Sequence, residues 1–184
     1  MTQRWTINGK LSVSPALERL DVVAPPVGKA LESMPDAAGV GVTEIDASLA
    51  DTAQFCDFYG VPLDASANCV VVAGKRGGNV QYAACMALAT TRVNVNNVVR
   101  KHLEVRKASF ASLDTAVELT GMEYGGITPI GLPADWRILV DARVAAEPEL
   151  VIGGGTRGSK LLVSGELLAA LPAAEVVDEL ASPI

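Results

Sequence analysis

Apolar and polar positions along the chain change period repeatedly, which predicts a succession of short helices and strands and no internal repeat. Ser14-Pro15 ahead of ALERLDVV predicts a short helix with proline at its first position, and Pro25-Pro26 its stop. Val40, Val42 and Ile45 predict a strand, and Ser48 to Asp51 open a helix through TAQFCDFY that Gly60 ends. NCVVVAG predicts a strand, and GKRGGNV a hairpin turn into QYAACMALA, hence an antiparallel pair. Val95, Val98, Val99 and Leu103 recur at helical spacing and predict a helix over Thr91 to Leu103 with Asn94 available as N-cap. Ser112 and Asp114 start a helix leading to Gly121; RILVDA, ELVIGGG and KLLV predict strands, and SGELLAAL a late helix. Strands and helices intermix irregularly, with at least one hairpin. The pattern predicts an α+β fold: a mixed, largely antiparallel, curled and barrel-like sheet with surrounding helices.

Length and composition narrow this picture. A chain of 184 residues suits one domain over 1–184 without a linker, with 1–35 the least informative part and read as an N-terminal helical extension. With 49% hydrophobic and 20% charged residues the chain is not disordered, and 4% aromatic content leaves Val, Ala and Leu to build the core. No apolar run approaches the ~18 residues of a membrane span, and MTQRWTINGK lacks the apolar segment of a secretory signal, so a cytoplasmic protein with no membrane partner is expected. Cys56, Cys69 and Cys85 form no CxxC pair and read as small buried hydrophobes. A single histidine, His102, excludes a multi-histidine metal site or a two-histidine acid–base pair within the chain; no metal and no cofactor are expected. The formal charge of −6 argues against avid nonspecific binding of nucleic acid, which requires many released counterions.

Two stretches carry candidate chemistry. GGITPIGLP, Gly125 to Pro133, holds three glycines and two prolines in nine residues, which suits neither helix nor central strand. It reads as a shaped loop whose backbone is the working surface, or as a tight turn between helix and strand. GGGTRG, Gly153 to Gly158, lies about thirty residues on, and the two together could wall one pocket. Gly153, Gly158, Ser159 and Lys160 nearly fit a phosphate loop, but serine precedes lysine and KLLV reads as a strand where a helix is required, so nucleotide hydrolysis is rejected.

The context of these loops resembles the YbaK family, the prolyl-tRNA-editing-like aminoacyl-tRNA deacylases. Members carry a helix ending in a pattern like ELTG, here Glu118 to Gly121, then a Gly-Gly-hydroxyl-Pro loop, here Gly125 to Gly131, then a strand to an aspartate, here Ile138 to Asp141. The likeness extends from about Thr52 through Gly153–Gly158 to LLVSGELLAAL. It implies a YbaK-like fold, hydrolysis of the ester joining a mischarged amino acid to the terminal ribose of tRNA, and a tRNA acceptor end as partner. The enzyme would act in trans. It also implies a catalytic set of Asn68, Gly125, Gly126 and Thr128, and a substrate-binding set of Ile127, Pro129, Gly131, Asp141, Gly153, Gly155, Arg157, Gly158 and Lys160. The Thr128 hydroxyl stands either beside the aminoacyl group or as a cap on its own backbone; Asp141 either orients a donor or makes a turn hydrogen bond.

One departure matters. The family's strand begins with a lysine where NCVVV has Asn68, so a charge-assisted contact becomes a neutral one, roughly half as strong. Lys75, seven residues on, lies roughly 23 Å away in an extended strand and on the opposite face. Lys160 is the more plausible compensating cation, against the default of an exposed structural lysine. The alternative function is a non-catalytic module that binds an aminoacyl-tRNA end or small ligand. Arg100, Lys101, Arg106 and Lys107 form the basic cluster of the chain: beside an acceptor end they would hold phosphates, although a solvated helix end is the favoured reading. Proline, alanine, cysteine and serine esters all stay open as substrates.

Overall fold

The computed structural model describes residues 5–184. In chain order the strands are β1 Ser14–Pro15, β2 Gly41–Glu44, β3 Ala67–Arg76, β4 Asn79–Leu88, β5 Thr91–Val93, β6 Lys107–Phe110, β7 Arg137–Asp141, β8 Leu150–Gly153, β9 Ser159–Val163, β10 Ala174–Val177 and β11 Ala181–Pro183. The helices are α1 Pro25–Ser33, α2 Thr52–Tyr59, α3 Arg100–His102, α4 Leu113–Thr120, α5 Ala142–Ala145 and α6 Gly165–Ala169.

The strands form a four-stranded sheet, β1-β2-β9-β8, a five-stranded sheet, β10-β7-β4-β3-β6, and the ladder β11-β5. The fold is α+β and mixed: β7 pairs in parallel with β4 and β10, and the other strand pairs are antiparallel. A parallel bridge between Ser66 and Val151 links the two larger sheets, which curl toward one another without closing into a barrel. The β3–β4 hairpin runs in register from Ala67 opposite Leu88 to Arg76 opposite Asn79. Its two-residue turn, Gly77-Gly78, has φ of +58° and +84°, the left-handed geometry that matches strand twist and that glycine adopts without a Cβ clash.

Alternation along the five-stranded sheet sends Met86 and Val140 into one buried cluster, with Leu31, Ile130, Ile152 and Leu161, and Cys85 and Leu139 into another, with Val99 and Leu103. Burial on both faces explains why β4 and β7 read as nearly continuous apolar runs. Cys56 and Cys85 are buried as expected, and burial pushes the Cys85 thiol up to about 12.

The structure corrects two local expectations. The helix expected after Pro15 is a pair of short 3-10 turns, and Pro25-Pro26, expected as its stop, are the first residues of α1. Proline has no N–H to lose in the first turn, and its fixed φ suits that position, so the pair starts a helix as readily as it ends one. The helix expected over Thr91 to Leu103 begins as strand β5, because Thr91–Val93 pairs with β11. Asn94 then caps as expected, accepting from Asn97 N at 3.2 Å, and a π-helical turn, Val95–Val99, runs into α3. No helix among the described residues is long and apolar enough to cross a membrane.

Candidate active site

Where the two sheets meet, a cavity of about 560 Å³ opens between β3, the N-terminus of α2 and the two glycine-rich loops. Asn68, Gly125, Ile127, Gly153, Arg157 and Lys160 all line it, so the loops expected to share one pocket do so.

The loops are held together by main chain. Gly155 N donates to Gly126 O at 2.7 Å, and Glu123 N to Gly155 O at 2.8 Å. A Cβ on Gly126 would stand 2.4 Å from Thr156 O, and one on Gly153 would stand 2.5 Å from Gly126 O. Only residues without a side chain permit that approach. The Gly126 N–H is committed to Glu123 O at 3.0 Å, which leaves the segment around Gly125, with φ of +83°, as the stretch of this loop facing the cavity. Arg157 braces it: Nη1 donates to Tyr124 O at 3.1 Å and Nη2 to Ala47 O at 3.3 Å.

Lys160 is the buried cation of the site. It is 7% exposed, so the exposed lysine expected by default is in fact buried. It lies on β9 between Thr43 and Gly153, donates from Nζ to Ala50 O at 3.3 Å, and sits 5.0 Å from the centroid of the Phe55 ring. Burial lowers its pKa from the ordinary lysine value; Cys56 and Asp51 raise it again, and Arg157 adds to the lowering. Asn68 lines the same cavity from β3, exposed, with Oδ1 accepting from the Thr52 hydroxyl at 2.8 Å. Its Oδ1 thus occupied, the amide keeps its N–H donors for a ligand.

The remaining residues of the expected sets lie elsewhere. Thr128 is fully buried outside the cavity lining, and its hydroxyl has no hydrogen-bond partner among the described residues, so it does not cap its backbone. Pro129 is buried outside the lining, Gly131 packs on the main chain of Pro26, and Gly155 on Ala24. Gly158 also stands outside the lining and accepts from Ile45 N at 2.9 Å. Asp141, 1% exposed, accepts from Arg143 N at the start of α5 and from Ala181 N at the start of β11, both at 2.8 Å, and does not reach the cavity. Lys75 sits near the far end of β3, outside the lining.

Sequence reading missed Thr52, Asp51, Phe110 and Tyr124, all of which line the cavity. Thr52 looks like an ordinary first helical residue, and its role is visible only when β3 is laid beside α2. Phe110 and Tyr124 carry a signal in retrospect: they are large aromatics in polar surroundings of an aromatic-poor chain, and they are 60% and 56% exposed.

The model of the aminoacyl-tRNA editing domain matches residues 46–171, the stretch that contains both glycine loops, Asn68 and Lys160. The chain belongs to the aminoacyl-tRNA editing domain family. Solved structures agree on this YbaK-like fold. One is the crystal structure of a candidate trans-editing enzyme for prolyl tRNA synthetase, with TM-score 0.70 and 22% identity over 91% of this chain and 98% of that one. Another is a hypothetical protein, APE2540, with TM-score 0.71 and 22% identity over 83% and 97%. A scaffold used for epitope backbone grafting matches at TM-score 0.72 and 22% identity, over 84% and 95%. The editing-domain match spans neither β1 nor α1, yet Ala24 and Pro26 hold the glycine loops from behind, so the N-terminal segment is part of the site's support.

Proposed function

We propose that this editing-domain protein hydrolyses, in trans, the ester joining a mischarged amino acid to the terminal ribose of tRNA. The observation that carries the reading is the convergence, on one cavity, of a buried ammonium at Lys160, a free amide edge at Asn68 and the main chain at Gly125. An ester carbonyl gains negative charge as water adds to it. Donors fixed beforehand around that oxygen stabilise the transition state more than the substrate, and a low-dielectric surround strengthens them. Lys160, on β9, supplies the fixed charge that Asn68 does not.

No protein nucleophile takes part. Burial raises the Cys56 thiol above its ordinary pKa, and its sulfur lies 3.2 Å from the Ser66 hydroxyl. Water, or the hydroxyl neighbouring the ester on the ribose, does the work once positioned. The trans mode accords with the description of the structurally similar candidate trans-editing enzyme.

Asn68 favours one other reading, a module that holds an aminoacyl-tRNA end without cleaving it. Single-turnover deacylation across a panel of correctly and incorrectly charged tRNAs, with a no-protein control, separates the two. Accelerated ester loss for a mischarged species is expected. Binding without acceleration of any member would replace the hydrolase by the binding module.

A further inference from the structure

Three concavities of the surface share one strand. The first is the candidate site, which takes Phe110 and Ala111 at the end of β6. A second, of about 780 Å³, takes Ala108 to Phe110 together with Arg92, Asn94 and Asn96. A third, of about 410 Å³, takes Lys107 to Ser109 together with Lys75, Arg100 and Arg106. β6 is the edge strand of its sheet, so these hollows follow one another along the sheet's margin, over roughly 13 Å from Lys107 to Ala111.

Charge at the far end is concentrated and uncompensated. The chain carries 15 Lys and Arg against 21 Asp and Glu, yet four cations surround the third hollow, and none of them is in a salt bridge among the described residues. Lys75 and Lys107 are directly opposed across β3 and β6. Like charges so placed destabilise a strand pair, so the fold itself does not account for them. At the near end Phe110 offers an exposed ring to the mouth of the site, a surface on which a base stacks.

We propose that β6 is the track along which the single-stranded acceptor end of tRNA approaches the site, phosphates on Lys75, Arg100, Arg106 and Lys107 and a base on Phe110. This rests on the proposed hydrolase reading for its substrate, but not on catalysis. The partner is RNA because a row of cations leading to an aromatic platform matches a phosphate backbone with unstacked bases.

The test is binding of uncharged tRNA across a salt series. For K75Q/K107Q, affinity is expected to fall about tenfold near 0.1 M salt. The log–log salt slope becomes shallower by about 1.4, since each phosphate on a single strand contributes about 0.7. K10Q/K29Q, the same charge change away from the track, should keep the wild-type slope. F110A should weaken binding roughly tenfold with the slope unchanged, as lost stacking requires. A double variant that keeps the wild-type slope, or matches the K10Q/K29Q control, overturns the proposal. So does a lower Tm for K75Q/K107Q, because removing an opposed like-charge pair should leave Tm equal or higher. Uncharged tRNA has no ester, so the two readings fail separately: the slope change without deacylation sustains the track and sinks the hydrolase, and deacylation with an unchanged slope does the reverse.

Discussion

The hydroxyl of Thr52 donates to Oδ1 of Asn68 at 2.8 Å, tying the first residue of α2 to the second of β3 in the lining of the cavity. This bond decides which edge of the amide the cavity sees. Asn68→Ala should slow single-turnover deacylation by about 100-fold, the lower end of the range for removing a donor to a developing oxyanion. Thr52→Val removes only the orientation and should cost several-fold, with the wild-type melting temperature retained. Equal rates in all three proteins would place Asn68 outside the chemistry.

Restoring the family's lysine is informative in the other direction. Asn68→Lys places a further cation in the cavity, and a faster turnover on the same tRNA would show that the neutral amide limits the wild type. An unchanged, already active enzyme would show that Lys160 suffices.

Lys160 should give the site its pH dependence. Its pKa is lowered by burial, so the ammonium is present below that lowered value and is lost as pH rises through it, before an ordinary lysine would titrate. The protein-dependent rate, after subtraction of spontaneous ester loss, should therefore decline on the alkaline side, and Lys160→Met should lose both rate and decline. Stability runs oppositely. The unfolded chain binds the proton more tightly than the folded one, so stability rises with pH between the two pKa values and is reduced below the folded one. Urea titrations should show that rise in the wild type and its absence in Lys160→Met.

Gly126→Ala tests the seam between the loops. Its Cβ would lie 2.4 Å from a main-chain oxygen, which no rotamer change relieves. A loss of about 1–3 kcal/mol is expected, as for other overpacked positions, with deacylation falling further than stability because the loops must part. A variant as stable and active as the wild type would mean the seam is looser than its geometry.

Asp141→Ala should behave as a structural lesion. Two N–H groups would lose their acceptor, one of them buried, for about 1–3 kcal/mol, or roughly 2–12 °C in Tm for a chain of this size. Its single-turnover rate, measured well below the melting range, should match the wild type; a rate loss at full stability would restore Asp141 to the site.

Much of the framework was legible because it is local. Asp51 caps α2 and Ser112 caps α4, the hairpin turns at Gly77-Gly78, and both glycine loops fall where punctuation residues cluster. β6, β10 and β11 were not legible. KASF is an exposed edge with no alternation, and β10 and β11 become strands only through partners distant in sequence, β7 and β5. The site divides in the same way. Asn68 and the glycines stood out by type, whereas the burial of Lys160 depends on α2 folding over β9, and the Thr52 contact joins two elements whose adjacency no spacing predicts.

The seam of Gly126, Gly153 and Thr156 also limits how this pocket can change. The main chain that Gly125 and Gly153 turn to the cavity has no side chain to exchange, and the seam behind it fixes its path. On the proposed hydrolase reading, discrimination between one amino acid and another would fall to Val71, Leu113 and Ala116, which present replaceable side chains to the same cavity. On that reading chemistry and clientele are separated within a single cleft, and exchanging a few methyl groups would retune the second while the first stays fixed.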